Sequence, residues 1–123
     1  MKSKKKRNNN SDRINHGLSH WKLQRVSAIL IMPLILWFLY SVLTVMFKTY
    51  SETIEWVMSP INSTLLIILL VGIFYHSAMG LQVVIEDYIA NIKLRTIILN
   101  ISKIVLFAFA VISISSVLKI VLF

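Results

Sequence analysis

The chain has 123 residues, 57% of them hydrophobic and 15% charged, with a net charge of +8 and no cysteine, and its mean hydropathy is +0.76. This balance lies outside that of soluble domains, and the missing cysteines exclude disulfides, Cys-ligated zinc and Cys-bound iron–sulfur clusters. Nucleic acid is not the partner that the basic excess implies: residues 1–25 carry +7 of it, a charge placed at one end of the chain as membrane topology requires.

Residues 1–17 read as a disordered, solvated basic tail. Polar NNNSDRINHG (8–17) follows the lysine run where a secretory signal would place its apolar stretch, and the segment lacks the amphipathic, Arg-rich character of a transit peptide. Residues 18–123 then form a three-helix membrane anchor. Charges leave long gaps, 22 residues between Arg25 and Lys48 and 30 between Glu55 and Glu86, and crossing about 30 Å of hydrocarbon takes roughly 20 apolar residues. The expected spans are about 26–47, 62–85 and 101–121, giving an all-α membrane protein.

The first span contains Pro33, tolerated in a membrane helix where neighbours satisfy the freed carbonyl. Trp37 and Tyr40 are packing residues of this span, whereas Trp21 and Trp56 flank the spans and suit the interfacial aromatic belt. Under the positive-inside rule the basic N-terminus lies inside, in the cytoplasm or an organelle matrix. The loop 48–60 is then outside, the loop 86–100 with Lys93 and Arg95 inside, and the C-terminus outside.

The second span poses the chemical question. His76 lies ten residues before Glu86, about 15 Å along the helix and so near mid-bilayer, where an ionisable side chain is expected to be paired and to have a task. Gly72 and Gly80 stand at i−4 and i+4, on the same helix face. Two readings follow. Either the face accepts a flat ligand such as a haem, with imidazole as an axial donor, or it is a small-xxx-small packing surface with His76 hydrogen-bonded to a neighbouring helix. Met79 approaches from the same side as His76 and cannot sit trans to it, while His16 and His20 lie half a bilayer away. A six-coordinate iron would therefore take its second ligand from another polypeptide.

Asp87 falls within about 20° of the His76 face and about 16 Å lower, with Tyr88 next to it. The acid and the phenol suit either interfacial anchoring or hydrogen bonding to a lipophilic molecule arriving from the bilayer. Arg25 and His20 are placed at the same inner level, and Arg25 suits either an anionic cofactor group or a lipid phosphate.

SHWKLQRVSAI (19–29) before the first span and YHSAMGLQVVIEDY (75–88) ending the second together resemble the D-type hydrophobic membrane-anchor subunits of succinate dehydrogenase, respiratory complex II. The H-x(3)-G run and the D-Y pair occur with that family's spacing. The resemblance implies that His76 is one axial ligand of a haem b shared with a C-type cytochrome b anchor subunit, with Gly72 and Gly80 beside it. It implies that Tyr88 and Asp87 belong to a ubiquinone site, and that Arg25 and His20 lie near the haem propionates. A flavoprotein and an iron–sulfur subunit would complete the complex, in a bacterial inner membrane or, for an organelle-encoded chain, the mitochondrial one. The chain would be non-catalytic alone. The competing reading is a cofactor-free membrane scaffold packing through Gly72 and Gly80.

Overall fold

The computed structural model describes the backbone of residues 2–123 and the side chains of residues 14–123. Four helices follow in order: α1 (Lys2–Val45), α2 (Tyr50–Met58), α3 (Pro60–Tyr88) and α4 (Ile92–Leu122). Three of them carry stretches apolar and long enough to cross a membrane: Ile14–Val45, Pro60–Tyr88 and Ile92–Leu122, of 32, 29 and 31 residues. At 1.5 Å per residue these measure about 43–48 Å, longer than the hydrocarbon they cross. The chain is thus an all-α, multi-pass membrane protein.

The helices overrun the expected spans because hydropathy marks the lipid-facing part of a helix and capping chemistry marks its ends. α1 continues through Pro33, whose missing N–H leaves the Ile29 carbonyl without its usual helical donor. It also continues back through residues 14–17, all exposed; the side chains of the rest of the expected tail, residues 1–13, lie outside the described residues. Between α3 and α4 the expected 86–100 loop shrinks to residues 89–91. There the Asn91 side chain accepts hydrogen bonds from the N–H groups of Lys93 and Leu94, at 3.0 and 3.2 Å, and starts α4 nine residues ahead of the third apolar span.

A further helix stands in the expected outer loop. Thr49 caps α2: its hydroxyl and its N–H donate to Glu52 Oε2 at 2.7 and 2.8 Å, and the Glu52 N–H lies 3.5 Å from Thr49 Oγ1. This is a capping box, in which each residue satisfies a donor left open at the helix start. The other end of α2 is tied to α3 by the Asn62 amide, which donates to the Trp56 carbonyl at 2.8 Å. Trp56 itself is half-buried and stacks on Trp37 of α1, centroids 5.9 Å apart and planes inclined by 22°. This indole clips α2 onto the first span.

α3 is the middle helix. It packs against α1 and against α4, whereas α1 and α4 make no close approach among the described residues; α2 touches all three. The result is an open layer with a thin core made of Ile31, Leu69, Met79 and Ile85, and no buried residue on α4. Large apolar side chains such as Leu36, Phe107 and Ile112 stay more than half exposed. Lipid or other membrane helices supply the apolar surroundings that a soluble fold would build internally.

The Thr49 donors hold the Glu52 carboxyl below the usual carboxylate range, helped by the Lys48 charge. A folded pKa below the unfolded one gives a contribution that is complete above the unfolded value, about 4.3 for Glu, and is lost as pH falls through the lower folded value. Acidification below about pH 4 is therefore expected to fray α2 and unstack Trp56 from Trp37. Fluorescence of the Trp37–Trp56 pair, read with Trp21 replaced by Phe, should change in that window, and the change should vanish in Glu52→Gln.

Candidate functional site

The site is built on the seam between α1 and α3, which run antiparallel. Three contacts step along it by about one turn each. Gly72 faces Ile31 so closely that an added Cβ would lie 3.0 Å from Ile31 Cγ1. One turn on, His76 Nδ1 stands 2.9 Å from Ser27 Oγ. One further turn on, a Cβ at Gly80 would lie 3.6 Å from Gln24 Nε2. Both glycines flanking His76 face α1, the contact that the helix-packing reading of this face expects.

Ser27 is buried, at 9% exposure. Its Oγ also lies 2.8 Å from the Gln24 carbonyl of its own helix. His76 is half-buried, and Nε2 makes no hydrogen bond among the described residues while keeping accessible surface. The ring lines an apolar groove of about 230 Å³ with Ala28, Met32, Ile35 and Leu36 of α1, and Ile31 separates this groove from a larger one, about 350 Å³, lined by Leu30, Leu34, Ile68 and Val71. Met79, 7% exposed, belongs to the core.

Twelve residues separate His76 from Tyr88 at the end of α3, about 18 Å along the axis. Tyr88 is 85% exposed and Asp87 is exposed beside it. The neighbouring Glu86 is engaged locally: its Oε1 accepts from Gln82 Nε2 at 2.8 Å, and its carbonyl accepts from Arg95 Nη1 at 3.4 Å. Arg25 lies over the ring of Trp21, with Cζ 4.5 Å from the centroid, a cation–π contact that holds the guanidinium near α1. His20 is half-buried one turn further down α1.

The seam also sets the level of Arg25. Its backbone is two residues from Ser27, which faces His76, so it stands about 3–5 Å from the height of His76 and about 14–15 Å from that of Tyr88, while its guanidinium reaches back over Trp21 toward the end of α3. Neither Arg25 nor His20 is hydrogen-bonded to Asp87 or Tyr88 among the described residues. Sequence reading missed Ser27 as the partner of His76, although it sits inside the 19–29 motif. Nothing in one sequence states which residue of one helix faces which residue of another; the only local signal is a small polar residue in an otherwise apolar run.

The sequence matches the family described as succinate dehydrogenase/fumarate reductase transmembrane subunit over residues 1–118. The chain belongs to that family. A succinate dehydrogenase hydrophobic membrane anchor subunit of Rickettsia bellii is 42% identical over 79 residues, 64% of this chain and 63% of that protein. The protein of the same description from Rickettsia prowazekii is 36% identical over 98 residues, 76% of this chain and 75% of that one. A succinate dehydrogenase membrane anchor subunit of Reclinomonas americana is 34% identical over 88 residues, 69% of this chain and 73% of that one. The match thus spans a little under two thirds of the Rickettsia bellii protein. No solved structure matches.

The two glycines are not equivalent. Gly72→Leu pushes side-chain volume into Ile31 and is expected to destabilise the α1–α3 seam by about 1–3 kcal/mol, the usual range for overpacking. Gly80→Ala gains only ordinary contact with Gln24 and is expected to stay within about 0.5 kcal/mol of the native chain. Unfolding midpoints in mixed detergent micelles would rank the two.

Proposed function

We propose that the chain is the hydrophobic membrane-anchor subunit of a succinate dehydrogenase, that His76 supplies one axial ligand to a haem b, and that Tyr88 and Asp87 form part of a ubiquinone-reduction site. Family membership supports the anchor role. The observation that carries the haem assignment is the state of His76: Nδ1 is engaged by Ser27, and Nε2 is accessible and, among the described residues, unpaired within an apolar span. A bare ring nitrogen facing hydrocarbon is unfavourable unless it is paired or ligated, and a neutral imidazole with one free nitrogen is the donor that haem iron takes.

The donor set fits such a group, with this chain supplying one ligand. No cluster of three or more His, Asp or Glu placed for a metal occurs among the described residues, so the second axial ligand is assigned to a companion C-type anchor subunit. Arg25, within about one helical turn of the height of His76, would meet the propionates, with His20 below it. Haem b, when bound, supplies a one-electron redox centre beside the quinone site.

At the end of α3 the exposed phenol of Tyr88 would donate a hydrogen bond to a quinone carbonyl oxygen, stabilising the negative charge that develops as electrons arrive singly from the iron–sulfur subunit. Asp87, exposed to the same side, would pass protons from the aqueous phase to that oxygen, so that two electrons and two protons convert quinone to quinol. A flavoprotein subunit would oxidise succinate. The basic N-terminal segment supports an inside position for this end of α3, in the cytoplasm of a bacterium or in the matrix for an organelle-encoded chain.

The packing of Gly72 against Ile31 also favours a second reading, a cofactor-free scaffold held together along this seam. A dithionite-reduced minus oxidised spectrum of the assembled complex separates the two. A b-type signal that is lost or shifted in His76→Ala is expected, and a complex without haem, or one whose spectrum ignores the substitution, refutes the ligand assignment. In the same complex Tyr88→Phe is expected to lower quinone reduction about 10-fold or more, the value of one hydrogen bond to a charged group, with succinate oxidation by an artificial acceptor unchanged.

A further inference from the structure

His76 and Ser27 are joined by a hydrogen bond whose direction is assigned by its surroundings. A serine hydroxyl has one proton and lone pairs for acceptance. The Ser27 oxygen lies 2.8 Å from the Gln24 carbonyl oxygen and 2.9 Å from His76 Nδ1. A carbonyl oxygen cannot donate. Were the hydroxyl proton directed at His76, two oxygen lone pairs would face each other at 2.8 Å inside a buried seam, where such an unpaired contact is unfavourable. With the proton on the Gln24 carbonyl, both contacts are hydrogen bonds: Ser27 donates to Gln24 and accepts from His76 Nδ1–H.

From this we infer that Ser27 is a positioning residue that selects the Nδ1–H tautomer of His76 and so leaves the lone pair on Nε2 free for an iron ligand. The inference rests on the haem reading of His76. In the opposite tautomer Nε2 would carry the proton and could not ligate. Metal-bound imidazoles characteristically donate their second N–H to an acceptor, which orients the ring and raises its basicity. Here the acceptor is a buried hydroxyl polarised by the helix carbonyl behind it, contributed by another helix of the same chain. The seam is closely packed near this height, with Ile31 filling the space beside Gly72 one turn away. Ser27 thus converts the packing of α1 on α3 into the orientation of a ring.

The test uses the complete membrane complex with Ser27→Ala, Ser27→Thr and His76→Ala. Haem retained per complex after detergent washing, the haem reduction potential and the low-spin electron paramagnetic resonance signal are read for each. In Ser27→Ala, haem retention is expected to fall about 10-fold or more. The potential is expected to rise, because an imidazole that loses its acceptor is a weaker donor to ferric iron. Ser27→Thr keeps the hydroxyl and is expected to restore all three readouts toward native. Native retention, potential and resonance signal in Ser27→Ala, with haem lost in His76→Ala, would overturn the role of Ser27 and leave the ligand assignment standing. An unchanged haem in His76→Ala would overturn the ligand assignment and this inference with it. Equal haem loss in the Ala and Thr variants would also count against Ser27, since a hydroxyl would then not be what matters.

Discussion

Everything in this structure depends on how closely α1 approaches α3. In a membrane there is no hydrophobic drive between helices, because lipid tails are as apolar as leucine; close packing and interhelical hydrogen bonds hold them together. Gly72 removes a side chain where Ile31 has to fit, and the resulting approach brings Ser27 within 2.9 Å of His76. An interhelical hydrogen bond of this kind contributes only about 0.6 kcal/mol on average. Its larger effect is to avoid leaving an imidazole N–H unpaired in a low-dielectric seam, where desolvation would cost about 1–3 kcal/mol. Apolar fit and polar pairing therefore act at neighbouring turns of one interface, each making the other possible.

The open arrangement of the other helices follows from the same economy of contacts. α4 joins the layer with no buried residue, and α1 does not reach it. α2 contributes order instead of core: it is capped at Thr49, tied to Asn62 and stacked through Trp56 on Trp37, and so bridges all three long helices at one end of the layer. A layer with so little interior is suited to assembly with other membrane helices, which is the role its family membership supports. In the proposed complex the unpaired edge of His76 and the exposed phenol of Tyr88 are both groups that a partner would complete.

How much of this was legible in the sequence differs by level. The three apolar crossings were, because 22- and 30-residue gaps between charges have no other economical meaning. Helix ends were not, since Thr49 with Glu52 and Asn91 act through local caps that a hydropathy average overlooks. His76 stood out through its depth, and the glycines through their i±4 spacing. The use to which those glycines are put did not stand out: spacing shows which residues share a face, and whether that face meets a ligand or a helix depends on the antiparallel register of residues 24, 27 and 31 against 80, 76 and 72. Ser27 and the level of Arg25 are consequences of that register and were invisible for the same reason.

The register also gives the proposed site its vertical order. A single rigid helix carries His76 and Tyr88 about 18 Å apart, so the two proposed tasks occupy fixed heights, one amid the apolar span and one at its end. α1 fills the interval from the other side, with Ser27 at the level of the imidazole and the Arg25 guanidinium over Trp21, further toward the end of α3. The Arg25 charge is held against the aromatic face of Trp21. In the proposed complex a haem held by His76 would meet the Arg25 cation along the same seam, so the packing of two helices would order both contacts.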